Sequence, residues 1–584
     1  MVTPSVTRSN QVIAQDSVLY LLKMIGTEKA LSCYNDLSKG LFPEVDVNPH
    51  DYDNAYSYLL DAQAVALFKK ATFADFGIDT KAASIKQWHD SEAKCKEFND
   101  LLTDKAYLRD LSKNVSGILY TAREYLRRLL GPVPLLTTVR FGPGSTAHSR
   151  GFFGSLPNKL ESDTGIYSHT PLSYFKTLFE SNPLFYESLG YSADCEVFVG
   201  RFKRIDYDVY STVAKTAKTD RGISLGASLN MVLQLNVHEH VIKRLKRWGI
   251  DLPYVPELHK SLAKQASIDG SLATIDLRAA SDSISRELVR SLLPDDWYRL
   301  LDDIRARKTR IDENVYELNK FCAMGCGFTF VLETIIFMAI TWATAQIDGH
   351  KLKTMSVFGD DIIVDTALAN SLIKNLGLLG FETNKEKTFV TGRFRESCGG
   401  DFFDGIEVRP IYWKNIPDEK TEGLYKIANR VRETLHRLNL NGYCSLDGYP
   451  LWESIISYIP ENLRFFGPHS CGDRVLTSTR AEWIGYASYR NQQLRVPCLG
   501  RAYDRKGRAR PRKRYGKLAY YLYKLGYSAS ITENSTVKLP LYLTTGISDS
   551  VTDTGQIMPS TGYKVVKRRA FVYYTCSDES FAWR

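Results

Sequence analysis

One stretch constrains this chain more than any other: Thr354-Met-Ser-Val-Phe-Gly-Asp-Asp-Ile-Ile-Val364, a turn signal set between two apolar, β-branched runs. Glycine takes the positive φ that a two-residue primed turn needs, so Gly359-Asp360 predicts a β-hairpin. Two adjacent carboxylates, Asp360 and Asp361, are then held at its tip. On a straight strand neighbouring side chains point to opposite faces. At a turn both can reach one divalent-ion site, and Mg²⁺ prefers carboxylate oxygens and phosphates. Paired metals clamped by aspartates are the machinery of nucleotidyl transfer. An isolated Gly-Asp-Asp is also compatible with a solvated turn whose aspartates bond their own backbone, so the surrounding segments decide.

Upstream, Leu272-Ala-Thr-Ile-Asp-Leu277 reads as a short buried strand carrying Asp276 at its end. Ala279-Ala-Ser-Asp-Ser283 follows as a polar turn able to cap a helix on which Ile284, Leu288 and Leu292 recur at helical spacing. Asp276 facing the hairpin would supply a third carboxylate. Between the two, Met324-Gly-Cys-Gly-Phe-Thr329 is a glycine loop whose Gly325 and Gly327 permit close passage of a template or nucleotide backbone. It opens onto a nearly continuous apolar run, Phe328 to Ile347, interrupted by Glu333 and Gln346 and read as a buried helix rather than a membrane span. After the hairpin come a helix from Ala367 to Leu379, a strand expected to carry Lys385 and Lys387, and Gly392-Arg-Phe-Arg-Glu-Ser-Cys-Gly-Gly400.

Earlier in the chain, Val213-Ala-Lys-Thr-Ala-Lys-Thr-Asp-Arg-Gly-Ile-Ser224 places Lys215, Lys218 and Arg221 at intervals of three. Arg offers a planar bidentate fork and Lys a mobile point charge, a combination that can line a triphosphate channel or form a solvated cationic edge. His238-Glu-His240 lacks the spacing of a zinc motif. The first 110 residues read as helical, with no visible chemistry.

Of the formal net charge of +10, nine basic residues against one acidic residue fall between Arg501 and Lys517. Tyr515 lies within this run, and Tyr520, Tyr521, Tyr523 and Tyr527 follow it. Cations interleaved with aromatics suit single-stranded nucleic acid, with Arg508, Arg510, Arg512 and Arg514 as phosphate contacts; a basic loop or a tyrosine-rich helix are the plainer readings. The ten cysteines are mostly scattered singly and read as reduced thiols. No secretory signal is expected from Met-Val-Thr-Pro-Ser-Val-Thr-Arg.

Taken together, these residues resemble the RNA-directed RNA polymerases, and within them the replicase catalytic (beta) subunits of the levivirus group of positive-strand RNA bacteriophages. Thr274 to Ser285 looks like that family's motif A, Met324 to Phe330 with Glu333 like motif B, and Phe358-Gly-Asp-Asp361 like motif C. Asn384 to Phe389 is similar to motif D, Phe394 to Gly399 to the segment after it, and Lys215 to Arg221 to the basic motif F. The resemblance implies an α+β, right-hand fold with an antiparallel palm sheet. It divides the chain into an N-terminal helical region bridging to the fingers (1–110), fingers (111–265), palm (266–410, with part of 300–325 assignable to fingers), and thumb with a basic C-terminal region (411–584). It implies two Mg²⁺ ions on Asp276, Asp360 and Asp361. Lys215, Lys218 and Arg221 would face the triphosphate, Asp282 and Ser283 the ribose, Gly325, Gly327 and Thr329 the nucleotide, and Lys387, or Lys385 beside it, would be the general acid toward pyrophosphate. RNA and ribonucleoside triphosphates are the implied substrates, and the bacterial cytoplasm the implied place of action. Elongation factors Tu and Ts and the largest ribosomal protein are the implied host partners.

This sequence departs from the broader pattern in three places. Thr329 and Glu333 stand where an asparagine is commoner, Phe358 where tyrosine is, and Gly222-Ile-Ser-Leu-Gly226 lacks an acidic-proline pattern. Two other functions compete. A reverse transcriptase shares the palm but excludes ribonucleotides with a bulky residue after the motif A aspartate, where this chain has Ala279-Ala-Ser-Asp282. A non-catalytic RNA-binding scaffold would have no reason to bury three carboxylates together.

Overall fold

The computed structural model describes residues 8–104, 113–142, 144–147, 165–188, 203–440, 442–490, 493–503, 563–572 and 581–584. Three helices open the chain: α1 (Asn10–Ile25), α2 (Glu28–Ser38) and α3 (Ala55–Lys69). Ser9, Thr27 and Asn54 start them, each accepting a backbone N–H from three residues on, which satisfies a donor the helix cannot. Helices α4 (Thr80–Thr103) and α5 (Lys113–Leu130) follow. Gly131, at φ 64°, ends α5 in a left-handed cap before the prolines. The Arg244 guanidinium donates to the carbonyls of Leu129 and Arg128 at 2.6 and 3.0 Å, a cation at the negative end of the helix.

The motif F cations ride on a hairpin of β1 (Asp208–Ala214) and β2 (Asp220–Leu225). Lys308–Ile311 pairs with β1 in parallel, so this part of 300–325 sits with that hairpin. Next come α6 (Ser228–Arg247), α7 (Val255–Asp269), β3 (Leu272–Ile275) and α8 (Arg286–Leu292). The expected capping turn at 279–283 is itself one helical turn, with Ala279 at φ 49°, and Ser285 is the residue that caps α8. The chain continues through α9 (Thr329–Ile347), β4 (Met355–Phe358), β5 (Asp361–Asp365) and α10 (Thr366–Leu378). A second hairpin, β6 (Phe394–Ser397) with β7 (Gly400–Phe403), precedes α11 (Lys420–Leu438).

Strands β3, β5 and β4 form an antiparallel sheet with β5 in the middle. Ile362, Ile363 and Val364 are fully buried because helices α7, α9 and α10 pack against the sheet. Helix α9 is apolar on every side and lies in the protein core; it is long and apolar enough to cross a membrane, but 78% of that stretch is buried. The architecture is α+β.

The expected lysine-bearing strand is instead a turn. Residues 384–387 lie between isolated bridges at Thr383 and Phe389, which pair with Leu277 and Thr274. Asn384 causes this: its backbone N–H donates to the Asp276 carbonyl at 2.9 Å, its own carbonyl accepts the Lys387 N–H at 3.0 Å, and its side chain turns the chain locally.

Two main cores hold the chain. One joins α5, α6, α8, α9 and the sheet. The other joins α1–α3 to α11 and to the segments around Trp413, Trp452 and Leu499, so the start of the chain closes onto its distant C-terminal third.

Candidate active site

The register of β3 against β5 pairs Ile275 with Ile362, so the next residues outward on the two strands are Asp276 and Asp361. Phe358 pairs with Asp361 around a two-residue turn of Gly359-Asp360, as the sequence predicts. Gly359 has φ 61° and its N–H donates to Thr334 Oγ1 at 3.0 Å. A Cβ there would also come within 2.9 Å of the Phe330 ring, so glycine is required twice over.

Burial and repulsion from Asp360 and Asp276 push the Asp361 carboxyl up to about 7. Burial also raises Asp276, against the pull of Lys387 and of a 2.9 Å hydrogen bond from Asn384 Nδ2. Asp361 is aimed from the β6–β7 turn, where the Cys398 N–H donates to its Oδ2 at 3.3 Å. That turn is pinned by His259, fully buried, whose ring nitrogens lie 2.8 Å from both Ser397 Oγ and Ser356 Oγ. Neither Cys398 nor His259 was singled out from sequence, since only the fold brings α7 and β6 to this spot.

Lys387 Nζ lies 3.6 Å from Asp276 Oδ2 and 3.2 Å from Glu396 Oε1. Burial works against its charge, but Glu396 and Asp276 outweigh it and hold the ammonium above the usual lysine range. Lys385 and Lys387 are both exposed on this turn, and of the two only Lys387 forms an ion pair with Asp276. Lys215 is within electrostatic reach of the aspartates: partial burial and the Arg221 and Lys387 cations push it down, while Asp360 and Asp276 pull it up. Lys218 points elsewhere, into an ion pair with Glu44 and over the Phe42 ring. Three residues spaced evenly along a tight hairpin tip do not share a face.

In the turn after β3, Asp282 Oδ1 accepts from Lys320 Nζ at 2.8 Å. Lys320 has no solvent exposure, lies 3.5 Å from Glu92, and stacks 5.0 Å from the Trp88 ring centroid. The Ser283 hydroxyl donates to Ala279 O. Glu333 is buried, and desolvation, followed by Asp360, Asp282 and Asp361, holds its carboxyl far above the ordinary range. Its signal in the sequence was an acid inside an apolar run.

The glycine loop packs closely against its own chain. A Cβ on Gly325, which has φ 112°, would stand 2.2 Å from the Ser224 carbonyl oxygen, and the Gly327 N–H donates to Gln234. Thr329 is buried and its hydroxyl donates to Ala323 O. These residues admit the chain's own backbone and shape the loop. Arg508, Arg510, Arg512 and Arg514 lie outside the described residues.

Among the described residues no three Asp, Glu, His or Cys side chains stand close enough to enclose an ion. The donor set still suits a hard divalent cation: carboxylate oxygens whose mutual repulsion a cation would relieve.

A family model described as RNA replicase, beta-chain, matches residues 10–502. The RNA-directed RNA polymerase subunit beta of Enterobacteria phage SP is 36% identical over 58% of this chain and 57% of its own length. That of Qbeta virus (strain MX1) is 29% identical over 83% of this chain and 78% of its own. The match thus spans little more than half of the SP protein's length. The crystal structure of an insertion-loop deletion mutant of the RNA-dependent RNA polymerase of a human picorbirnavirus overlaps 43% of this chain and 56% of that one, at 13% identity and a TM-score of 0.31.

Proposed function

The chain belongs to the RNA replicase beta-chain family, and on that premise we propose that it is an RNA-directed RNA polymerase that copies a single-stranded phage RNA from ribonucleoside triphosphates. The observation that carries this is Asp276 placed opposite Asp361 at the outer end of β3 and β5, beside a turn that presents Asp360. Under this reading the subdomains are fingers, palm and thumb with the bounds given above, and β3, β5 and β4 are the palm sheet.

Asp276, Asp360 and Asp361 would hold two Mg²⁺ ions, which when bound acidify the primer 3′-hydroxyl and offset the charge of the triphosphate. The chain's own groups do the rest. Lys215 and Arg221 neutralise the triphosphate, which Lys218 can join only by releasing Glu44. Lys387 keeps its proton because Glu396 and Asp276 favour its charged form, and it serves as the acid toward departing pyrophosphate. Lys320 fixes the Asp282 carboxylate, leaving its other oxygen to accept from the ribose 2′-hydroxyl. Glu333, kept protonated, adds no negative charge behind the aspartates.

By resemblance to the family the enzyme works in the cytoplasm of an infected bacterium, with elongation factors Tu and Ts and the largest ribosomal protein. The test is incorporation of labelled ribonucleotides and deoxynucleotides on an RNA template by the purified chain, alone and with bacterial extract. Ribonucleotide incorporation that needs Mg²⁺ is the expected result. A deoxynucleotide preference would make the chain a reverse transcriptase, and RNA binding without synthesis in either condition would make it a scaffold.

A further inference from the structure

The hairpin cations are not the only ones at the cleft. Lys70 directly follows α3, and its ammonium lies 3.6 Å from the centroid of the Tyr412 ring. The carbonyl of Lys69 accepts the Ala217 N–H at 3.1 Å, which ties the tip of the β1–β2 loop to the end of α3. Lys215 is two residues before that N–H. The charges that act on Lys70 are Arg409, Lys414, Lys387 and Glu396, and those that act on Lys215 include Lys387 again. Lys387 in turn touches Asp276. Lys70 therefore belongs to the same cationic cleft as the triphosphate residues, although it comes from a helix without any motif.

Among the described residues, no carboxylate forms an ion pair with Lys70, whereas Arg409 has Asp401 at 2.7 Å and Lys387 has Glu396. Partial burial and the neighbouring cations push Lys70 down to about 8. Holding like charges together partly out of water raises the free energy of the empty cleft. A flexible polyanion that bridges them removes that cost. A row of phosphates fits better than a carboxylate ligand, because the cations come from three separate segments and one small anion would reach only one of them.

We infer that Lys70, seated on Tyr412, contacts the polyphosphate tail of the incoming nucleotide together with Lys215 and Lys387. This rests on reading the cleft as the nucleotide site. A phosphate of the RNA strand has the same chemistry, so the test separates the two sources.

Lys70→Met keeps an apolar stem over Tyr412 and removes only the charge; Lys70→Arg restores it. Binding of inorganic tripolyphosphate is measured by calorimetry, RNA affinity by filter retention, and KM and kcat for each ribonucleotide on a fixed template, after equal urea midpoints confirm folding. Losing one charge-assisted phosphate contact should weaken tripolyphosphate binding and raise every KM roughly ten-fold. Saturating kcat and RNA affinity should stay within about two-fold, and Lys70→Arg should recover most of the loss. Unchanged tripolyphosphate binding overturns the inference, as does a fall in RNA affinity with KM unchanged, which would move Lys70 to the RNA backbone. Tripolyphosphate binding that depends on Lys70 in a chain that makes no RNA would keep the polyphosphate contact and sink the polymerase reading alone.

Discussion

Asp361→Asn should make the metal-free protein more stable while destroying its activity. The Asp361 carboxyl is raised from its ordinary value near 3.8 to about 7 by burial, Asp360 and Asp276. A difference of about three units, at 1.36 kcal/mol each, is a cost of about 4 kcal/mol for the ionised group, which water in the open cleft reduces to ~2. The folded chain holds this proton more tightly than the unfolded chain, so the cost is absent below about pH 4, grows between about 4 and 7, and is complete above. Asparagine is isosteric, can still accept the Cys398 N–H, and carries no charge. Urea unfolding in the presence of a chelator should therefore show the variant ahead of wild type by about 2–4 kcal/mol at pH 8.5 and by about a third of that at pH 5. Mg²⁺ should close the gap at pH 8.5 by stabilising wild type alone. A variant less stable than wild type at pH 8.5, or a gap independent of pH, would mean that Asp361 is an ordinary structural carboxylate and that the electrostatic reading of the site is wrong.

Asp360→Asn should reduce synthesis to below a tenth of wild type, a barrier change of at least ~1.4 kcal/mol, while RNA affinity measured by filter retention is preserved. Asp282→Ala should relax discrimination between ribo- and deoxynucleotides in competition assays; equal losses for both would reduce the residue to a support for Lys320. Lys320→Met strands Glu92 and Asp282 and should cost about 3–5 kcal/mol in urea unfolding at neutral pH, with little effect expected only if water reaches both carboxylates. Replacing Arg508, Arg510, Arg512 and Arg514 by Gln should lower the slope of log RNA affinity against log salt by roughly 3, and an unchanged slope would remove the segment from the RNA path.

What the sequence made legible was local. The Gly359-Asp360 hairpin, the strand before Asp276 and the buried α9 follow from turn chemistry and periodicity, and the register then aligns Asp276 with Asp361. Lys387 lies beside Asp276, on a turn and not on the strand the sequence suggests, because the bonds from Asn384 to Asp276 override the alternation of residues 381–389. Lys218 and Thr329 carry motif-like spacing yet face Glu44 and Ala323, and no periodicity encodes which way a hairpin tip or a helix N-terminus turns. His259, Cys398, Lys320 and Lys70 were invisible for a further reason. Each acts on a residue far along the chain, and a lone His, Cys or Lys has no pattern until the fold supplies its neighbour.

The core that joins α1–α3 to α11 also sets an order of events during synthesis. Leu21, Leu22 and Leu67 are fully buried against partners such as Leu424, Ile427 and Leu435. Those partners leave the ribosome about 350 residues later, roughly 20–70 s at bacterial elongation rates. Through that interval the first three helices can cover only part of their apolar faces by packing on one another. A product truncated before α11 keeps the rest of that apolar surface open. The same closure means that the sheet beside Asp276, Asp360 and Asp361 is synthesised in full before the partners that complete this second core.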